Sequence, residues 1–117
     1  MEDRIRAIVE NVTKAHGATY DLEYIKSYPA IQNDEELNAK AKASAIKALG
    51  KDFVFDAPRM TASEDFSYYK KIAPTSFLVL GVGNGVANHN PKFNLDEKAL
   101  SNGVKAQVQT ILDYLGN

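Results

Sequence analysis

The chain has 117 residues, 44% of them hydrophobic and 25% charged, with a formal net charge of -1. That length predicts one compact domain or parts of two, and the composition is that of an ordinary globular protein rather than a disordered or membrane-embedded one. The 14 Lys and Arg are scattered among 15 Asp and Glu, so no clustered positive field exists for nucleic acid or an anionic membrane.

There is no cysteine, which rules out disulfides and thiolate metal sites and leaves His, Asp and Glu as the available metal ligands. The longest apolar run, residues 77–82, is too short to span a membrane, and the charged start has no signal-type apolar stretch behind it. The cytoplasm is the expected compartment.

From residue 2 to 16, Ile5, Ile8, Val9, Val12 and Ala15 recur at helical spacing, and Gly17 supplies a left-handed cap. Residues 19–25 then alternate, with Tyr20, Leu22 and Tyr24 on one side, as a half-buried strand does before Pro29 stops it. Asn33 with Glu36 predicts the cap of a second helix carrying Leu37, Ala41, Ala45 and Leu49, closed by Gly50. A short apolar piece at 53–55 precedes Pro58. Thr61 with Glu64 then predicts a helix to about Ile72, with Ser63 as a competing cap.

Residues 76–82 form a continuous apolar run, the pattern of a central strand covered on both faces. A loop rich in glycine and asparagine follows to Phe93. Asn94 with Glu97 then predicts a last helix burying Leu100, Val104, Val108, Ile111 and Leu115 and ended by Gly116. The order is an alternating α/β one, helix first and last, without internal repeats, and with its boundary at 28–33.

Gly81, Gly83 and Gly85 after a buried strand invite a phosphate-loop reading, but no helix pattern follows them closely enough. His89 lies in a loop beyond the carboxyl end of the presumed central strand, where open α/β sheets place their sites. An imidazole there can ligate a metal or act as a base, and Asn88 and Asn90 offer hydrogen bonds to orient it, although a lone loop histidine is more often solvated surface. Glu64 and Asp65 sit in a predicted first helical turn, where the helix dipole alone accounts for carboxylates; the alternative is that one of them lines a pocket. His16 falls where a cation favours a helix end.

Taken in order, Arg59-Met-Thr-Ala-Ser-Glu-Asp-Phe-Ser-Tyr68, Ser76-Phe-Leu-Val-Leu-Gly-Val-Gly-Asn84, Asn88-His-Asn-Pro-Lys-Phe93 and Asn94-Leu-Asp-Glu-Lys-Ala-Leu100 resemble the C-terminal end of the metal-dependent amidohydrolases. These include aminoacylases, hippurate hydrolases, indoleacetyl-amino-acid hydrolases and N-acetyldiaminopimelate deacetylases. The upstream helix, the strand, Tyr28-Pro29 and Asn33-Asp34 resemble the close of that family's lid (dimerisation) domain and the return into its zinc-peptidase-like catalytic domain. The resemblance therefore implies a lid remnant at residues 1–30 and the C-terminal part of a catalytic domain at 31–117.

It further implies an enzyme that cleaves the amide of N-acyl amino acids or related small peptides through water activated by zinc or a similar ion. His89 matches the family's final-loop ligand, while Glu64, Asp65 and Asn88 are carried over as substrate-pocket candidates. The remaining ligands and the general base belong to earlier family segments that this chain does not contain. One histidine is one ligand of the three or four such a site wants, so the expectation is neither tight metal binding nor hydrolysis by this chain alone. Two alternatives stay open: a non-catalytic assembly module that forms homo-oligomers, and half of a split enzyme that needs a separate N-terminal chain.

Overall fold

The computed structural model describes residues 1–61, 64–83 and 85–116. Three α-helices carry the fold, α1 (Glu2–Ala15), α2 (Glu35–Leu49) and α3 (Lys98–Leu115), with short 3-10 helices at Lys51–Phe53 and Asp65–Lys71. Ser63, the competing cap, lies outside the described residues.

α1 opens with Glu2 and Asp3 against its positive end, and Glu2 also binds Arg6 one turn on at 2.9 Å. Its end is the one the sequence predicts. Gly17 at φ 63 lets its own N–H reach the Lys14 carbonyl and the Ala18 N–H reach that of Thr13, both at 3.1 Å, with His16 in the capping position. The chain then folds back far enough for Lys26 Nζ to meet Glu2 Oε2 at 2.9 Å. The apolar stripe of α1 is covered only in part: Ile5 and Val9 are half-buried, Ile8 is 62% and Val12 55% exposed, and among the described residues α1 contacts no other helix.

α2 is capped one residue later than predicted. Asp34, not Asn33, accepts the Leu37 N–H at 2.9 Å, because the Asn33 amide is committed elsewhere. Its oxygen accepts the Phe77 N–H at 2.9 Å and its nitrogen donates to the Phe77 carbonyl at 3.1 Å, satisfying both polar groups of that residue as a neighbouring strand would. The Asp34 N–H adds a bond to the Thr75 carbonyl at 2.8 Å, so the start of α2 is docked on the apolar run. Gly50 closes α2 as expected.

α2 and α3 pack directly together. Small residues allow it: Ala41 (3% exposed) and Ala45 (6%) are the buried apolar residues of the described chain. Asp113 of α3 fastens the pair, accepting from Ser44 Oγ and Lys47 Nζ at 2.7 Å each and from Gln109 Nε2 at 2.8 Å. The Lys47 and Ser44 hydrogen bonds bring its carboxyl down to about 2.

α3 starts at Lys98 rather than beside Asn94. The Asp96 N–H is held by the Val82 carbonyl at 2.8 Å, which keeps 94–96 out of the helix, and its carboxylate accepts the Lys98 N–H at 3.0 Å. Gly103 lets the apolar run lie close, since a Cβ there would stand 2.9 Å from Leu80 Cδ2. The expected burial of the α3 stripe does not occur. Leu100, Val104, Val108, Ile111 and Leu115 are all exposed, because they face away from α2 with no further layer to meet.

No strand forms among the described residues, at 19–25, 53–55 or 76–82. A strand is defined by the ladder it shares, and among the described residues none of these segments shares one with another. The predicted α-helix after Thr61 is instead the seven-residue 3-10 helix Asp65–Lys71. Among the described residues no large side chain is fully buried, and the radius of gyration is 20.4 Å, against about 13 Å for a compact domain of this length.

Candidate functional site

The loop bearing His89 is closed at its base by the Asp96 to Val82 bond, with Gly83 at φ 113 pressed against Asp96. A tight turn fills its tip. The Asn90 N–H donates to the Ala87 carbonyl at 3.3 Å, the Phe93 N–H to the Asn90 carbonyl at 2.8 Å, and the Lys92 N–H to Asn90 Oδ1 at 2.8 Å. The Asn90 amide therefore organises the turn rather than the imidazole, and Asn88 is exposed beside it.

His89 itself has φ 67, the one left-handed residue other than glycine in the described chain. That conformation costs a non-glycine residue on the order of 1 kcal/mol and concentrates where function over-determines the backbone. Sequence reading found the histidine but not its strain. A faint signal was present, since His and Asn are the side chains that best tolerate this region and three of them stand together.

Glu64 is half-buried at the head of the 3-10 helix, where its Oε1 accepts the Phe66 N–H at 3.4 Å. Asp65 is exposed, and the half-buried Phe66 ring that follows lies 5.4 Å from that of Phe77 and 5.2 Å from that of Tyr69. No hydrogen bond links His89 to Glu64, Asp65 or Asn88 among the described residues. A cavity of about 560 Å³ lies between the start of α2 and residues 70–75, and another of about 270 Å³ between α2 and α3. None of the four candidate residues lines either one.

The donor set does not fit a metal centre by itself. Among the described residues, no three His, Asp or Glu side chains converge, so His89 stands as a single exposed ligand-type group. No helix among the described residues is long and apolar enough to cross a membrane.

This succession of helices, the docked apolar run and the pinned histidine loop falls within one family: residues 2–113 match peptidase family M20/M25/M40, and the chain belongs to it. Among its relatives, a probable hydrolase of Synechocystis sp. is 34% identical over 97% of this chain and 30% of its own length. A putative amidohydrolase of Bacillus subtilis is 28% identical over 97% of this chain and 30% of its own. The N-acetylcysteine deacetylase of the same species is 32% identical over 85% and 26%, respectively. The chain thus spans at most about 30% of the length of these curated relatives. No solved structure matches it significantly.

Proposed function

We propose that the chain is the C-terminal portion of a metal-dependent amidohydrolase that cleaves the amide bond of N-acyl amino acids or related small peptides, and that it is inactive alone. The observation carrying this is the family match over residues 2–113, with relatives named amidohydrolase and N-acetylcysteine deacetylase that are more than three times longer. In this reading, residues 1–30 belong to a lid and 31–117 to an alternating α/β catalytic domain. The isolation of α1 from the other helices supports that division. The exposed stripe of α3 and the unpaired run at 78–81 are surfaces that the remainder of the enzyme covers.

His89 occupies a ligand position of a metal, zinc or a similar ion, whose other ligands and general base lie outside this chain. Glu64, Asp65 and Asn88 are its candidates for the substrate pocket. No step of hydrolysis is assigned to these residues by themselves.

The test is a chimera in which the chain replaces the matching C-terminal part of the Bacillus deacetylase, assayed for acetate release from N-acetylcysteine. The chimera is expected to turn over, the chain alone is not, and His89→Ala in the chimera should lower kcat/KM by about a hundredfold or more. Hydrolysis by the chain alone, or an undiminished His89→Ala chimera, would refute the proposal.

One observation favours a second reading. The uncovered stripe of α1, with Ile8 and Val12 exposed, suits a non-catalytic assembly module that pairs through α1 and residues 19–25. Sedimentation decides it, since a concentration-independent monomer removes that reading.

A further inference from the structure

The N-terminal unit, residues 1–27, is closed on itself by the Lys26 to Glu2 ion pair, and its helix contacts neither α2 nor α3. Side-chain contacts of the connector that follows tie it to the rest. Two contacts join that connector to the 3-10 helix Asp65–Lys71. The Tyr28 ring meets that of Tyr68 in a T-shaped arrangement, 5.8 Å between centroids at 77°. Lys70 Nζ donates to Gln32 Oε1 at 2.6 Å, and within the 3-10 helix itself Lys71 Nζ sits 4.7 Å from the centroid of the same Tyr68 ring.

Tyr68 thus engages an aromatic edge-to-face partner and a cation at once, two arrangements that the ring's quadrupole favours and that fix direction more sharply than plain apolar contact. Both contacts with the connector are exposed and small, which makes them releasable, unlike a buried interface. The helix they grip begins directly after Glu64, whose carboxylate caps it.

We propose that Tyr28, Gln32, Tyr68, Lys70 and Lys71 form a latch that sets the angle of the N-terminal unit against the rest of the chain and ties that angle to the turn presenting Glu64 and Asp65. The latch is a positioning device. Only its description as the hold on a lid rests on the proposed amidohydrolase reading. If the N-terminal unit swings outward, the 3-10 helix loses its grip on the connector, and the Glu64 turn is freed with it.

The chain has no cysteine, so Lys14→Cys with Lys105→Cys places one spin label on α1 and one on α3 without interference. Pulsed electron resonance then reads the distance distribution between the two units. The otherwise unaltered chain should give a narrow distribution, Tyr68→Ala a broad one, and Gln32→Ala, which frees Lys70, an intermediate one. Tyr68→Phe keeps the ring and both of its contacts and should restore the narrow distribution.

A Tyr68→Ala distribution as narrow as the parent's, or equal broadening in Tyr68→Phe, overturns the latch. Should Tyr68→Ala lose its helical circular dichroism, the exposed Gln32→Ala decides, with broadening in support and an unchanged distribution against. An inactive chimera with these distance changes intact would sink the amidohydrolase reading and leave the latch standing.

Discussion

α1 and the α2–α3 pair are built from the same local signals and reach different ends. Each helix has an apolar stripe, and glycine ends α1, α2 and α3 alike. Each unit also carries an exposed ion-pair fastening: Glu2, lowered first by the Lys26 hydrogen bond and then by Arg6, and Asp113, lowered first by Lys47 and then by Ser44. Among the described helices only α2 buries apolar residues, Ala41 and Ala45, because only α2 and α3 have each other to pack against. Capping and spacing suffice to make a helix, whereas a core needs a second surface.

The sharpest way to break this contrast is to crowd the packed pair. Ala45 is 6% exposed and does not line the cavity between α2 and α3, so Ala45→Leu overpacks its site and should cost about 1–3 kcal/mol in urea unfolding. A loss near zero would mean that the two helices do not pack as described.

Charge gives a second handle with a definite sign. The Asp113 carboxyl falls from an ordinary 3.8 to about 2, so its contribution is complete above pH 4 or so and fades as pH drops through about 2. Asp113→Asn should destabilise the chain at neutral pH and flatten its acid unfolding curve between those limits. Acid titrations of parent and variant that run parallel would remove the fastening from the account.

The smallest effect belongs to α1. Ile8→Gln replaces a side chain that already stands in water, and it should change stability by less than about 0.5 kcal/mol. A penalty comparable to that of Ala45→Leu would show that the α1 stripe is covered in solution, which would favour the assembly reading.

The sequence made the helices and their glycine ends legible because each is specified within a few residues: Gly17, Gly50 and Gly116 all adopt positive φ where predicted. The caps at the other ends of α2 and α3 were misread, Asp34 standing one residue past Asn33 and Glu97 three past Asn94. Asn33 and Asp34 compete for one role, as do Asn94 and Asp96, and the winners are chosen by partners far along the chain, Phe77 being 44 residues from Asn33. The strands were not realised for a related reason, since alternation and apolarity specify which face is buried but not what lies alongside.

The candidate site divides in the same way. The Asn-His-Asn-Pro motif, a local pattern, led to a loop that the structure pins at both ends and strains at His89. Where Glu64, Asp65 and Asn88 stand relative to a pocket depends on surfaces that these residues do not themselves supply.

The unpaired apolar run is the point at which the central claim is most exposed. Amide hydrogen exchange of residues 78–81 should be read in the chain alone and in the chimera with the Bacillus deacetylase. The account predicts near-free exchange in the isolated chain while the amides of α2 stay protected, and strong protection of 78–81 once the rest of the enzyme is present. Strong protection of these four amides in the isolated chain, or none in the chimera, would contradict it.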